Sequence, residues 1–372
     1  HYLALATTTP HNHKLTHFPF VHHAGVPLSK ADHADPLAFK HYEPERLVLG
    51  RPMHEWTRFS LAYWHTWRTT GADPFGLHGT MPQRLWSSDT LEAALHRIDA
   101  HFELCQKLGI SFYTFHDRDI VQEADSVHRS DKLLERCAEH LEEKQRETGV
   151  RLLWGTANLF SHPRYMHGSA TSPYPLVLAH AAAQVKKSLE VTHRLGGAGF
   201  VLWGGRDGYQ CLLNTDMEQE QRHYGHFLRL VAEYAREIGF EGQLWLEPKP
   251  REPMAHQYHF DAETTLGFIE RFGLADDYAL NIEANHATLA GHTAEHEVAV
   301  AASRGKLGSI DINRNEAMLG WDSDMFPDDL ALATFTMLHV VRQGGLRGGL
   351  NFDAKVRRES TDLEDLVAGH IA

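Results

Sequence analysis

The feature that most constrains the fold of this chain is a regular alternation of short apolar segments with segments long enough to form helices. Eight such apolar segments follow one another from residue 59 onward. This alternation is typical of βαβ units and a parallel sheet. Eight units favour a closed (β/α)8 TIM barrel over an open doubly wound sheet, in which glycine-rich phosphate-binding loops would be expected. No such loop motif follows any of the eight segments.

The apolar segments and the helical periodicity between them predict the bounds of the elements. Strands are expected over residues 59–64, 110–115, 151–159, 199–203, 243–246, 280–283, 307–312 and 349–352. Helices are expected over residues 90–108, 131–147, 175–195, 216–238, 292–303 and 328–341, with one more beginning near residue 261. No linker rich in Pro, Gly or Ser interrupts this series. We therefore expect an N-terminal arm over residues 1–35 and one barrel catalytic domain over residues 36–372.

Polar side chains crowd the carboxyl ends of five of these strands. The carboxyl ends of the strands in a parallel barrel meet at one mouth, where barrel active sites lie. A single buried carboxylate such as Glu283 would more often form a structural ion pair, but five strands that end in this way favour a functional site. The residues concerned are His116 and Asp119, Glu247 and Lys249, Glu283 and His286, Asp311, and Asp353.

The donor types in this set predict metal ions. Carboxylates packed closely in a site of low dielectric repel one another unless cations lie between them. Carboxylates with one imidazole and no thiolate favour hard divalent ions, Mg²⁺ first and Mn²⁺ or Co²⁺ as alternatives. Asp322 and Asp324 add two carboxylates that would face one ion in extended backbone, although an ordinary polar turn would also explain them. Because one ion does not need so many ligands, we expect two ions that share a carboxylate.

Composition narrows the classes of partner. The formal charge of −13 over 372 residues argues against nucleic acid or an anionic membrane as the main partner. The cysteines Cys105, Cys137 and Cys211 have no CxxC spacing, so a disulfide framework or a thiolate zinc site is not supported, and a reducing cytoplasm is expected. No apolar segment approaches the roughly 18 residues of a membrane span.

Ten segments, in a fixed order, carry a resemblance to a known family. They are FSLAYWHT (59–66), GADPFG (71–76), FHDRD (115–119), LLWGTANLF (152–160), VLWGGRDGY (201–209), LLNTD (212–216), EPKPREP (247–253), NIEANHATLAGH (281–292), GWDSDMFP (320–327) and GGLNFDAKVRR (348–358). With these segments the chain resembles the D-xylose isomerases, and in particular their longer class with an N-terminal extension. The resemblance runs from about residue 35 to the last residue.

The resemblance implies a role for each residue of the site. His116 and Asp119 would open the sugar ring, with Asp119 orienting the imidazole, and Lys249 would polarise O1 of the sugar. A structural metal ion that also binds the substrate would be held by Glu247, Glu283, Asp311 and Asp353. Glu283 would bridge to a second, catalytic ion whose remaining ligands are His286, Asp322 and Asp324.

The resemblance also implies how the substrate is enclosed. Trp64 and Trp203 would form apolar walls, whereas Trp154 is expected to be ordinary core packing. Phe75 would enter the site of a neighbouring subunit in a homo-oligomer, with a homotetramer expected. The family continues beyond the position where this sequence stops, into a C-terminal tail that embraces neighbouring subunits, so that tail is expected to be missing here.

The implied reaction interconverts D-xylose and D-xylulose, and also D-glucose and D-fructose, by metal-assisted ring opening and a 1,2-hydride shift without an organic cofactor. An enediol route with His116 as the base stays open. Two other classes of function also remain: a metal-dependent TIM-barrel hydrolase or phosphodiesterase, and an inactive scaffold that binds sugar and metal.

Overall fold

The architecture is a closed barrel of eight parallel strands surrounded by helices. The computed structural model describes residues 17–18, 35–69, 88–356 and 363–372. Each barrel strand is hydrogen-bonded to the next in chain order, and the last strand pairs with the first. The strands are β1 (Ser60–Ala62), β2 (Phe112–His116), β3 (Arg151–Thr156), β4 (Gly199–Trp203), β5 (Gln243–Glu247), β6 (Tyr278–Glu283), β7 (Leu307–Asp311) and β8 (Leu350–Phe352). The predicted (β/α)8 TIM barrel is confirmed.

Helices follow the strands along the described part of the chain. They are α1 (Met53–Thr57), α2 (Tyr63–Trp67), α3 (Leu91–Leu108), α4 (Asp117–Ile120), α5 (Val127–Thr148), α6 (Pro175–Arg194), α7 (Met217–Glu237), α8 (Ala262–Arg271), α9 (Ala284–Ala290), α10 (Ala294–Ser303), α11 (Leu330–Arg342) and α12 (Leu363–Ile371). Two short antiparallel ribbons complete the fold, Leu47–Val48 with Arg51–Pro52 and Gly208–Tyr209 with His256–Gln257. None of these described helices is long and apolar enough to cross a membrane.

Two elements differ from the prediction in a way that matters for the site. The first strand ends at Ala62, and the chain turns at once into the short helix α2, which carries Trp64. The helix predicted over residues 292–303 is preceded by a separate short helix, α9, directly after β6. Gly291 ends α9 with a φ of 85°, and the Thr293 side chain caps the start of α10. In both places a strand passes straight into a helix, so the apolar pattern continues across the boundary.

A cluster of large apolar side chains fills the barrel below its polar mouth. Trp245 is completely buried there, and its ring leaves so little room that a Cβ atom on Gly199 would lie 2.1 Å from it. The cluster consists of Phe112, Leu153, Trp154, Val201, Trp245 and Ala279, with Trp64 packed against it. The carboxylates of the mouth therefore lie above a closely packed apolar floor.

Candidate active site

The ends of the strands bring the predicted polar residues together at one mouth. Strands β2, β5, β6 and β7 end at His116, Glu247, Glu283 and Asp311, respectively. Glu283 and Asp311 are direct partners in the register of the sheet. The side chains that line the cavity at this mouth include His116, Glu247, Lys249, Glu283, His286, Asp322, Asp324 and Asp353.

Glu283 occupies the centre of this set of potential metal ligands. It belongs to three groups whose donor atoms lie within 4.8 Å of one another. The groups are Glu247, Glu283 and His286; Glu283, Asp311 and Asp353; and Glu283, Asp322 and Asp324. Glu283 is the one residue that all three share, which is the arrangement expected of a carboxylate that bridges two ions.

Buried asparagine amides hold the carboxylates in place. Asn281 Nδ2 donates to Glu247 Oε2 at 3.0 Å and to Asp311 Oδ2 at 2.7 Å. Asn313 Nδ2 donates to Glu283 Oε1 at 2.7 Å. Side chains two residues apart on a strand point to the same face, so Asn281 lies on the face of Glu283 and reaches the carboxylates. The role of Asn313 is not visible in the sequence, because a single asparagine after a strand is an ordinary turn residue.

These amides are neutral and do not compensate the negative charges of Glu283 and Asp311. Burial raises the pKa of Glu283 well above its usual range, and the charges of Asp353 and Asp322 raise it further. Burial and the charges of Glu247 and Asp353 do the same to the pKa of Asp311. Carboxylates arranged in this way are stable as anions only beside cations. The donor set therefore fits divalent metal ions.

The orientation of His286 suits a metal ligand. Its Nδ1 lies 3.0 Å from the carbonyl oxygen of Pro248 and donates to it. Its Nε2 is turned toward the carboxylates, 3.0 Å from Glu283 Oε2 and 3.3 Å from Asp322 Oδ2. A carbonyl that accepts from one ring nitrogen and leaves the other for the metal is the usual arrangement around metal-binding histidines.

The loop that carries Asp322 and Asp324 is not extended as the sequence suggested. Asp324 has a φ of 45°, in the left-handed region, yet both carboxylates still reach Glu283. Burial alone would raise the pKa of Asp324, but the Lys355 ammonium, whose Nζ lies 2.5 Å from Asp324 Oδ2, holds that pKa well below its ordinary value. Polar contacts, rather than strand geometry, position this part of the site.

His65 and Lys355 are residues of the site that the sequence did not single out. His65 Nε2 lies 2.8 Å from Asp353 Oδ1 and 3.3 Å from Asp324 Oδ2. Burial alone would lower the pKa of His65, but the charges of these two carboxylates raise it to about 9. Both residues stand close in sequence to predicted ones, His65 after Trp64 and Lys355 two places after Asp353. Both also lie within segments that carry the family resemblance, residues 59–66 and 348–358.

His116 and Asp119 form the predicted pair. β2 ends at His116 and α4 begins one residue later, so that Asp119 folds back to bring Oδ2 within 2.8 Å of His116 Nδ1. Burial alone would lower the pKa of His116, but the hydrogen bond and charge of Asp119 outweigh it and raise that pKa. The imidazole therefore carries a proton more readily than a free histidine does, with Nε2 available to a substrate.

Lys249 lies two residues after Glu247, at the end of β5, and is buried. Its Nζ is 2.7 Å from Asp322 Oδ2 and 5.0 Å from the centre of the Trp203 ring. Burial alone would lower the pKa of Lys249, but Asp322, Glu252 and Glu283 raise it above its ordinary value. Lys249 is thus a buried, fixed ammonium group.

Aromatic rings enclose a cavity of about 190 Å³. Trp64 and Trp203 both line it, as predicted, and Trp64 Nε1 also donates to Asp353 Oδ1 at 2.7 Å. Phe160, which the sequence did not single out, lies 4.5 Å from Trp203 between ring centres. Trp154 is buried as expected and also faces the cavity. Phe75 lies outside the described residues, so its place in a neighbouring site stays a prediction.

A larger, mostly apolar cavity of about 700 Å³ lies elsewhere, beside α11 and α12. None of the predicted site residues lines it. The chemistry of the molecule is therefore concentrated in the smaller cavity at the barrel mouth.

Comparisons of sequence identify the family. A family model described as "Xylose isomerase-like TIM barrel" matches residues 119–329. A protein of Fervidobacterium gondwanense named xylose isomerase is 52% identical over 336 residues, which are 90% of this chain and 77% of that protein. Proteins with the same name from Thermotoga maritima and Geobacillus kaustophilus are 51% and 49% identical, over 91% and 96% of this chain and 76% and 80% of their own lengths.

Comparisons of structure show the fold alone, because the identities are low. A D-allulose 3-epimerase from Methylomonas sp. superposes with a TM-score of 0.58 at 14% identity and covers 85% of this chain and 96% of its own. A 3-keto-D-glucoside 4-epimerase from E. coli gives a TM-score of 0.57 at 13% identity, with 85% and 97% covered.

Proposed function

The chain belongs to the xylose isomerase family and is an aldose–ketose isomerase; we propose that its barrel mouth interconverts D-xylose and D-xylulose, and also D-glucose and D-fructose. One observation carries the assignment of the site. The shared carboxylate Glu283 lies among three groups of metal donors, in a cavity that also holds His116 and Lys249. Metal donors, a proton carrier and a fixed ammonium are the three components that this isomerisation uses.

Two divalent cations, Mg²⁺ first and Mn²⁺ or Co²⁺ as alternatives, fit the donors described above. Glu247, Glu283, Asp311 and Asp353 would hold one, and Glu283, His286, Asp322 and Asp324 the other. When bound, such ions polarise substrate oxygens as Lewis acids and lower the pKa of hydroxyl groups and water near neutral pH. Asn281 and Asn313 would keep the carboxylates in position when a sugar replaces water.

His116 would open the pyranose ring. Asp119 fixes the Nδ1 side of the imidazole at 2.8 Å and raises its pKa, so Nε2 can donate a proton to the ring oxygen while O1 loses its own. This is general acid catalysis by a histidine whose carboxylate partner sets its orientation. Asp119 acts through His116 and need not touch the sugar.

Lys249 would stabilise the open-chain sugar during the isomerisation. In this step a hydride moves from C2 to C1 and a proton moves from O2 to O1, so no external oxidant or reductant is needed. The fixed ammonium of Lys249 can donate a hydrogen bond to O1 as negative charge develops there. The rings of Trp64, Trp203 and Phe160 exclude water from the carbons, which favours direct hydride transfer over exchange with solvent.

The residues that line this cavity do not favour a hydrolase or phosphodiesterase. Among the described residues that line it, Lys249 is the one Lys or Arg. A phosphate-binding site normally combines several such donors in bidentate geometry. The retained His116, Asp119 and Lys249 likewise argue against an inactive scaffold.

The assembly and location of the protein belong to the same proposal. A homotetramer in which Phe75 completes a neighbouring site, in the cytoplasm, agrees with the family resemblance and with the absence of paired cysteine spacing in the sequence. Size-exclusion chromatography with light scattering measures the mass of the assembly directly.

The direct test of the proposed function uses D-xylose and the protein stripped of metal with EDTA. After Mg²⁺ or Mn²⁺ is restored, we expect D-xylulose to form, and without added metal we expect its formation to fall at least a hundredfold. Equal ketose formation with and without metal would exclude the proposal. In deuterated water, a direct hydride shift leaves C1 of the product without solvent deuterium, whereas the enediol route with His116 as the base introduces it.

A further inference from the structure

A second group of metal-ligand side chains lies where the segment after α9 meets the first turn of α10. It consists of His292, His296 and Glu297, whose donor atoms lie within 4.8 Å of one another. It shares no residue with the barrel mouth. We propose that these three residues hold a transition-metal ion of the zinc class.

Two carboxylates each turn one oxygen toward this group. Glu297 is only 4% exposed; its Oε2 accepts the backbone N–H of Ala262 at 2.7 Å, and its Oε1 faces His292. Asp261 repeats the arrangement: Oδ1 accepts the N–H of Thr264 at 2.7 Å and Oδ2 faces His292. One oxygen of each residue therefore caps α8. The other oxygen of Glu297 faces His292 Nδ1 and that of Asp261 faces His292 Nε2, so an ion between His292 and Glu297 leaves Asp261 beside the second ring nitrogen.

The distance between His292 and Glu297 leaves space for an ion. His292 Nδ1 lies 3.8 Å from Glu297 Oε1, and His292 Nε2 lies 3.7 Å from Asp261 Oδ2. Both separations are longer than hydrogen bonds. Donors that each bind zinc at about 2.0–2.2 Å stand between 3 and 4 Å apart around a tetrahedral ion.

The donor types distinguish this group from the mouth. His292 and His296 stack with ring centres 4.6 Å apart and an angle of 19° between the rings, so two imidazoles are offered at one place. Imidazoles with one or two carboxylates favour Zn²⁺ over Mg²⁺, whereas the mouth offers mainly oxygen. The N-terminal ends of α8 and α10 disfavour a cation, and the two carboxylates offset that effect.

A metal here would fasten the element that carries His286. His292 follows α9 directly, and its backbone N–H donates to the carbonyl of Ala287 within that helix at 2.9 Å. An ion held by His292, His296 and Glu297 would join the end of α9 to the start of α10, and the other oxygen of Glu297 already caps the start of α8. The site would thus be structural, with no part in the reaction itself.

The test counts zinc ions on the folded protein. Metal-stripped protein is equilibrated with Zn²⁺ in a large excess of Mg²⁺, and zinc per chain is measured by native mass spectrometry for the wild type, His292→Gln and His296→Gln. We expect each variant to bind one zinc ion fewer per chain. His296 is exposed, so its replacement leaves the fold intact, which circular dichroism verifies.

His128→Gln, at another exposed helix position, is the matched control and should bind as many zinc ions as the wild type. Equal zinc counts in the wild type and in both cluster variants would overturn the proposal. Loss of a zinc ion in only one of the two variants would also count against a site that needs both imidazoles. The readout is independent of catalysis, so it does not depend on the proposed function.

Discussion

Asn313 shows how single neutral residues support a charged site. Its Nδ2 donates both to Glu283 Oε1 at 2.7 Å and to the backbone oxygen of Asp353 at 2.9 Å, and its Oδ1 accepts the N–H of Asn285 at 2.8 Å. One amide thus ties together the ends of two strands and the start of α9. Replacing a residue that donates a hydrogen bond to a metal ligand commonly changes the affinity for the metal more than it changes the fold.

We therefore expect Asn313→Ala to weaken Mg²⁺ binding by about 10- to 100-fold, with a smaller change of kcat at saturating Mg²⁺. The measurement is a Mg²⁺ titration of D-xylose isomerisation. Asn214→Ala, at an exposed position, is the control and should leave the titration unchanged. Wild-type Mg²⁺ affinity in Asn313→Ala would contradict the positioning role of this amide.

Burial of the His259 ring makes the stability of the folded protein depend on pH. Neither of its ring nitrogens has a hydrogen-bond partner among the described residues, and the ring stacks on Tyr224 with 4.6 Å between centres. Burial lowers the pKa of His259 to about 3. In the unfolded chain His259 has a pKa of about 6.5. Below that pH it binds a proton there that it does not bind in the folded chain. The free energy of unfolding therefore falls as pH drops below about 6.5.

We expect His259→Phe to flatten this dependence. One such histidine removes about 1.4 kcal/mol of stability per pH unit between its two pKa values. Between about pH 6.5 and pH 5 the wild type should lose roughly 2 kcal/mol more than His259→Phe. Urea unfolding in EDTA at both pH values measures the difference. An equal loss in the two proteins would show that His259 is protonated in the folded state.

At the scale of elements, the apolar segments predicted the barrel strands well because buried parallel strands are continuously apolar. The strand at Gly199–Trp203 has the predicted bounds. The errors that affect the site occur at the mouth, where the helices α2 and α9 follow their strands without a loop. There the sequence pattern predicts that Trp64 belongs to a strand, although it lies in a helix. The reason is that apolar periodicity is ambiguous over so few residues.

The residues of the site divide in the same way into those that the sequence predicts and those that it does not. Ligands at strand ends, such as Glu283 and Asp311, could be located from the sequence because their position is set by the barrel. Contacts made by loops, such as Lys355 with Asp324, depend on backbone turns, including a left-handed one at Asp324. Those turns carry no periodic signal, so the sequence does not reveal them.

The packing between β4 and β5 provides a test at this scale. A Cβ atom on Gly199 would stand 2.1 Å from the buried Trp245 ring, so Gly199→Ala should lower the free energy of unfolding by about 1–3 kcal/mol or more. Gly267→Ala, in α8, would meet nothing within 4 Å and should be neutral or stabilising by about 0.5–1 kcal/mol. Urea unfolding of both variants measures this. Similar stabilities would contradict the close packing of the barrel floor.

At the scale of the whole molecule, a closely packed apolar floor lies below a cavity in which buried negative charges are concentrated. Alternation of strand and helix was sufficient to predict this architecture, because a parallel barrel places every strand end at one mouth. The division into an arm over residues 1–35 and a barrel remains a prediction, as does the subunit contact of Phe75, since these residues lie mostly or wholly outside the described part of the chain. The central claim is that two metal groups share Glu283.

The most direct test of that claim compares kcat for D-xylose in variants that each neutralise one carboxylate without changing its shape. At saturating Mg²⁺ we expect Glu283→Gln to lose more activity than Glu247→Gln, Asp311→Asn, Asp322→Asn or Asp353→Asn, because its charge serves both groups of donors. Circular dichroism confirms that each variant is folded. If Asp322→Asn, or any other single replacement, were far more damaging than Glu283→Gln, Glu283 would not be the shared ligand.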